Sequence, residues 1–169
     1  MPNAFPRDAA RVVRRAAVAA LDILYPPRCV SCAAFGQWFC ARCVAKLVPV
    51  VAAPRCPNCD ARWDQPGNCP RCFGWTALDG ARAIFDMEGA ARSVIHGLKY
   101  RRVEALAPTI AAHMRVLHAA LGFDAAIAVP LHRSREQERG FNQADLILRA
   151  TGWPVSEGGL VRTRRTRTQ

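Results

Sequence analysis

No cysteine stands before position 29 or after position 72, although the chain carries eight of them in 169 residues. Most of the chain must therefore fold without sulfur, and all the thiol chemistry belongs to one short segment. No apolar run approaches the ~18 residues that a membrane-spanning helix needs. An export signal is missing too: residues 16 to 24 read Ala-Ala-Val-Ala-Ala-Leu-Asp-Ile-Leu, a short stretch interrupted by Asp22. These absences point to a soluble, cytoplasmic protein with reduced thiols and away from a disulfide framework. No Ser-His-Asp set or working pair of carboxylates can be picked out. Of His96, His113, His118 and His132, only His132 adjoins a candidate site.

Acidic residues are also scarce, 13 against 24 Lys and Arg, for a net charge of +11. The excess is spread: residues 1 to 27 carry +2, residues 28 to 75 carry +4 and residues 76 to 169 carry +5. Two basic runs stand out, Lys99-Tyr100-Arg101-Arg102 and Arg162-Thr163-Arg164-Arg165-Thr166-Arg167. A basic surface attracts phosphate-bearing partners, nucleic acid or nucleotide-like substrates, or is simply well solvated.

What the sequence does have is four Cys-x-x-Cys pairs, Cys29/Cys32, Cys40/Cys43, Cys56/Cys59 and Cys69/Cys72. Each pair on a tight knuckle supplies two of the four soft ligands of a tetrahedral zinc. Sequential pairing closes the shortest loops and predicts one zinc on the first two pairs and a second on the last two. An iron–sulfur cluster also takes four thiolates, but the even pairing lacks a ferredoxin rhythm. With all four positions of each tetrahedron filled by thiolate, both zinc ions are expected to be structural.

Three units are expected: an N-terminal helix within residues 1 to 27, a double zinc ribbon over residues 28 to 75 and an α/β unit over residues 80 to 169. Asp8 can cap a helix running to residue 24, which Pro26-Pro27 ends. In the cysteine segment, Trp38, Trp63 and Trp75 are expected to fill a small core. Beyond it, residues 81 to 87 read as a strand, 90 to 100 as a helix and 108 to 121 as a second helix. Residues 123 to 131 form an apolar run suited to a strand buried on both faces. A polar, basic loop over residues 132 to 140, a helix over 141 to 150 and a short strand from Trp153 complete the pattern. Arg133, Arg135 and Arg139 follow the carboxyl end of the apolar strand, where open α/β sheets bind ligands. Lys99 and Arg101 end a helix, a place where cations are favoured in any case.

Taken together, Leu24-Tyr25-Pro26-Pro27-Arg28-Cys29, the four cysteine pairs, Leu98-Lys99-Tyr100-Arg101, Val129-Pro130-Leu131-His132 and Arg139-Gly140-Phe141-Asn142-Gln143-Ala144 resemble the ComF family. The resemblance implies a double zinc ribbon followed by a type I phosphoribosyltransferase-like, Rossmann-like α/β domain, linked to DNA uptake in natural competence. It implies phosphoribosyl pyrophosphate with Mg2+ as ligand, and DNA or DNA-uptake proteins as partners. By the same resemblance, the loop bearing Arg133, Arg135 and Arg139 takes the pyrophosphate-side position, with Asn142 and Gln143 at the start of the next helix. The family's acidic pair followed by a Thr-Thr-Gly loop does not occur in this sequence, so the α/β domain is expected to be incomplete. That loop would wrap a 5′-phosphate in backbone N–H groups, and without it the chain alone is expected to be inactive in phosphoribosyl transfer. The alternative is a binding module in which the zinc ribbons contact nucleic acid or a partner protein.

Overall fold

A computed structural model describes residues 23–50 and 54–164. The helix expected over residues 8 to 24 lies outside the described residues except for its last two positions. The elements are a one-turn helix α1 (Ala41–Val44), α2 (Gly89–Tyr100), a 3-10 turn (Glu104–Leu106), α3 (Ala107–Leu121), α4 (Arg133–Arg139) and α5 (Gln143–Thr151).

Helix α2 forms because Ala90, Ala91, Val94 and Leu98 recur at helical spacing, and all four are buried. They pack against Cys29, Phe39, Cys43 and Leu47 from the first ribbon and against Val103, Leu106 and Ile110 beyond the helix. The main core is thus shared between the first cysteine knuckles and the helices. Leu98 and Leu106 are each only 1% exposed, and burying such a side chain stabilises by roughly 1.5–3 kcal/mol. The second ribbon has its own small core of Cys56, Cys69 and Cys72, with Cys59, Ala61 and Trp63 against it. Trp38 and Trp75, expected inside, are instead 40% and 38% exposed. The small core of the second ribbon holds one indole, that of Trp63.

Helix α3 packs along α5. Arg115 holds the pair together by donating to the carbonyls of Thr151 (3.1 Å) and Ala150 (3.0 Å), the open end of α5. His113 is half-buried, with its ring edge-on to Phe85 at 5.1 Å.

The expected strands do not form as ladders, and among the described residues of the α/β unit no strand occurs. Two isolated pairings stand in their place. Phe85 pairs with Pro49, and the ladder stops there because proline has no N–H to donate. Ala126 pairs in parallel with Val155, through Ala126 N to Pro154 O (2.8 Å) and Ser156 N to Ala126 O (3.0 Å). Gly158 then turns the chain away at φ 76°, and Pro130 has no N–H on the opposite side. The polar segment expected as a loop is helix α4. It lacks an apolar stripe but is capped at both ends, by the His132 side chain accepting from Ser134 N and by Gly140 at φ 86°.

Candidate metal centres and anion surface

The cysteines gather as the loop-closure argument predicts: Cys29, Cys32, Cys40 and Cys43 in one group, Cys56, Cys59, Cys69 and Cys72 in the other. Within each group all sulfurs lie within 4.8 Å of one another. The separations Cys32–Cys40 (3.6 Å), Cys56–Cys72 (3.6 Å) and Cys59–Cys69 (3.8 Å) are far beyond a disulfide bond. They match the ~3.8 Å edge of a tetrahedron with ~2.3 Å zinc–sulfur bonds. Residues 20–73 match the family model of the double zinc ribbon domain. No curated protein matches the chain, and no solved structure does.

The N-terminal part of this chain is therefore a zinc ribbon with two four-cysteine sites, suited to two structural zinc ions. Backbone geometry prepares the ligands. Ala33 and Asp60, each one residue past a Cys-x-x-Cys pair, have φ of 62° and 57°, the left-handed turn that lets a knuckle fold back on its sulfurs. The thiols are not equivalent. The backbone N–H of Ala34, then the Arg42 guanidinium, hold Cys32 down at about 6. The backbone N–H groups of Cys59 and Asn58 hold Cys56 at about 7. Burial pushes Cys43 and Cys72 up to about 12. Each site thus offers one ready thiolate and one buried thiol whose proton the metal must displace.

Away from the metals, the fold brings together two of the basic segments. Lys99 lies in the last turn of α2 and Arg101 caps it. Arg102 follows with φ 54° and donates to the carbonyl oxygen of Glu138 in α4. Arg139 sits over the Tyr100 ring, 5.7 Å from its centroid, and donates to Gln143 Oε1 at 2.9 Å. The carboxyl ends of α2 and α4 therefore form one basic surface. Arg135 shares a helix face with Arg139, four positions on, and Arg133 is exposed at the other end of α4.

Asn142 and Gln143 have structural tasks. Asn142 caps α5 by accepting from Ala144 N (3.0 Å) and ties it to the apolar segment by donating to Val129 O (3.1 Å). Gln143 is 6% exposed and orients Arg139. His132 is occupied in capping α4. Tyr100, absent from the sequence-based candidates, is the platform for Arg139. Only a non-local contact reveals it. Among the described residues no helix is long and apolar enough to cross a membrane.

Proposed function

We propose that this chain is a ComF-like, phosphoribosyltransferase-like protein that joins a double zinc ribbon to a surface for pyrophosphate-bearing ligands, and that it serves DNA uptake. The observation that carries this reading is that Arg102 reaches Glu138 O and Arg139 lies over Tyr100, which brings the run Lys99 to Arg102 and Arg139 to adjoining ends of two helices far apart in sequence. Cations gathered from separate elements grip a phosphate far better than a solvated run on one helix. The parallel pairing of Ala126 with Val155, with α4 and α5 in the connection, supports an α/β origin for the unit. Without an acidic pair and a Thr-Thr-Gly loop, this chain is expected to bind such a ligand weakly, with Mg2+, and not to transfer the phosphoribosyl group.

Calorimetric titration of the zinc-loaded protein with pyrophosphate and with phosphoribosyl pyrophosphate, each with and without Mg2+, tests the reading. Binding weakened at least severalfold in Lys99→Ala and Arg139→Ala supports it; no binding, or unchanged binding in both variants, retires it.

The second reading is a zinc-ribbon module for nucleic acid or a DNA-uptake partner. It is favoured by the first ribbon's composition: residues 23 to 50 contain Arg28, Arg42 and Lys46 but no acidic residue, and they expose Phe35 and Trp38. Nucleic-acid binding predicts an affinity for single-stranded DNA that falls steeply with salt.

A further inference from the structure

The first zinc site is connected to the basic surface by an unbroken line of tight contacts. Val30 lies inside the first knuckle, next to Cys29, and its backbone N–H is held by Trp38 O at 2.9 Å. Its side chain presses on Gly97 of α2: a methyl group added at Gly97 would stand 2.9 Å from Val30 Cγ1 and 2.9 Å from Leu106 Cδ1. The same glycine's carbonyl accepts from both Arg101 N and Val103 N, each at 3.2 Å. It thereby shapes the turn in which Arg102 adopts φ 54°, a conformation that costs a non-glycine residue energy and that neighbours must enforce. From that turn Arg102 reaches Glu138 O, beside Arg139 and its Tyr100 platform.

Among the described residues the second zinc site packs on its own core and is held to the segment ahead of α2, at the helix end away from the Arg102 turn: Asn58 O accepts from Ala81 N, Asp60 accepts from Ala83 N, and Arg55 and Arg62 hold Asp86.

We propose that zinc at the first site and a pyrophosphate-type anion at the Lys99, Arg101, Arg102 and Arg139 surface bind cooperatively, whereas zinc at the second site is indifferent to the anion. This rests on the anion-binding reading above and adds a direction to it: the knuckle around Val30 positions the turn that receives the ligand. Coupling between sites is reciprocal, so an anion that needs the metal-set turn must also hold the metal more firmly.

The test uses the full chain loaded with two zinc ions, challenged with a chelator while released zinc is followed with a chromogenic dye. Cys59→Ser, which disables the second site and leaves the shared core intact, identifies the first-site phase. Pyrophosphate binding is measured in parallel by calorimetry. Saturating pyrophosphate is expected to slow first-site release by about fivefold or more, the lower end of ordinary coupling, and to leave second-site release unchanged. Pyrophosphate's own affinity for released zinc affects the signal from both sites alike, so it cannot imitate a slowing confined to the first. Val30→Ala slackens the contact on Gly97 and removes no cation from the anion surface, and should still bind pyrophosphate while losing much of the effect. Binding of pyrophosphate with no change in zinc release, or with equal slowing at both sites, overturns the coupling and leaves the anion surface standing. Absence of any pyrophosphate binding overturns both.

Discussion

Arg55 grips Asp86 with a single nitrogen, Nη2 lying 3.0 Å from one carboxylate oxygen and 2.9 Å from the other. Its remaining nitrogens donate to Val50 O (2.6 Å) and Asp60 O (2.7 Å), so one side chain, only 11% exposed, joins the second ribbon to the segment leading into α2. Arg62 reaches the same carboxylate at 2.7 Å from a side chain that is 67% exposed. Removal of the two arginines should therefore differ. Arg55→Ala strands two carbonyls and leaves the Asp86 carboxylate to Arg62 alone, and should lower stability by about 2–4 kcal/mol in urea unfolding of the zinc-loaded protein. Arg62→Ala should be close to neutral, as exposed ion pairs generally are. Equal effects would contradict the division of labour.

The Asp86 carboxyl is held below its ordinary range, by Arg62 first and Arg55 next. A depressed value in the folded state contributes stability above the ordinary carboxylate pKa, and that contribution is lost as pH falls through the folded value, in the region below about pH 4. Carbon-13 NMR should show Asp86 still largely ionised at about pH 4, where an ordinary carboxylate is about half protonated. Half protonation of Asp86 at that pH would show that the pairing is absent in solution.

Metal removal should separate the two sites. Cys43 is 1% exposed within the shared core and Cys72 lies in the small one. Structural zinc contributes on the order of 10 kcal/mol to such segments. Cys43→Ala should lose much of the helical circular dichroism of α2 and α3, while Cys72→Ala should keep it and bind one zinc. Equal loss in both variants would mean that the two cores fold as one.

Gly97→Ala carries a methyl group into Val30 and Leu106. Overpacking of this kind costs about 1–3 kcal/mol, despite alanine's better helix propensity of roughly 1 kcal/mol. A net fall in thermal midpoint is expected, and it should be partly recovered by the smaller neighbour in Val30→Ala/Gly97→Ala. A higher midpoint in Gly97→Ala would show that the contact is loose.

Ile127, Val129 and Val161 are 44%, 61% and 82% exposed beside the lone Ala126–Val155 pairing. Unpaired, apolar strand edges invite association. Concentration-dependent self-association is expected by light scattering, reduced in Val129→Lys. A monomer at high concentration would contradict it.

How far the sequence discloses this structure depends on how local each signal is. The two four-cysteine groups were legible because Cys-x-x-Cys spacing and loop entropy act over a few residues. Helices α2 and α3, expected over residues 90 to 100 and 108 to 121, form at Gly89–Tyr100 and Ala107–Leu121 because their apolar positions recur at helical spacing. Helix α4 escaped because Arg133 to Arg139 are polar all round, and its stability comes from His132 and Gly140 at its ends. The strands were overread because an apolar run such as residues 123 to 131 signals burial, while a ladder also needs a neighbour that keeps offering N–H and C=O groups. The joining of Arg102 to Glu138 and of Arg139 to Tyr100 spans more than thirty positions; no periodicity encodes it.

Because the main core mixes first-ribbon residues with α2 and α3, metal supply becomes a matter of protein yield. Cysteines 29 to 43 are synthesised well before Leu98 and Ile110, so during N-to-C synthesis the first zinc can be captured before its helical partners exist. A chain finished without that metal would display Phe39, Leu47, Val94 and Leu98 to solvent, the kind of surface that quality-control proteases and chaperones read. Zinc scarcity should therefore show as lower abundance of this protein.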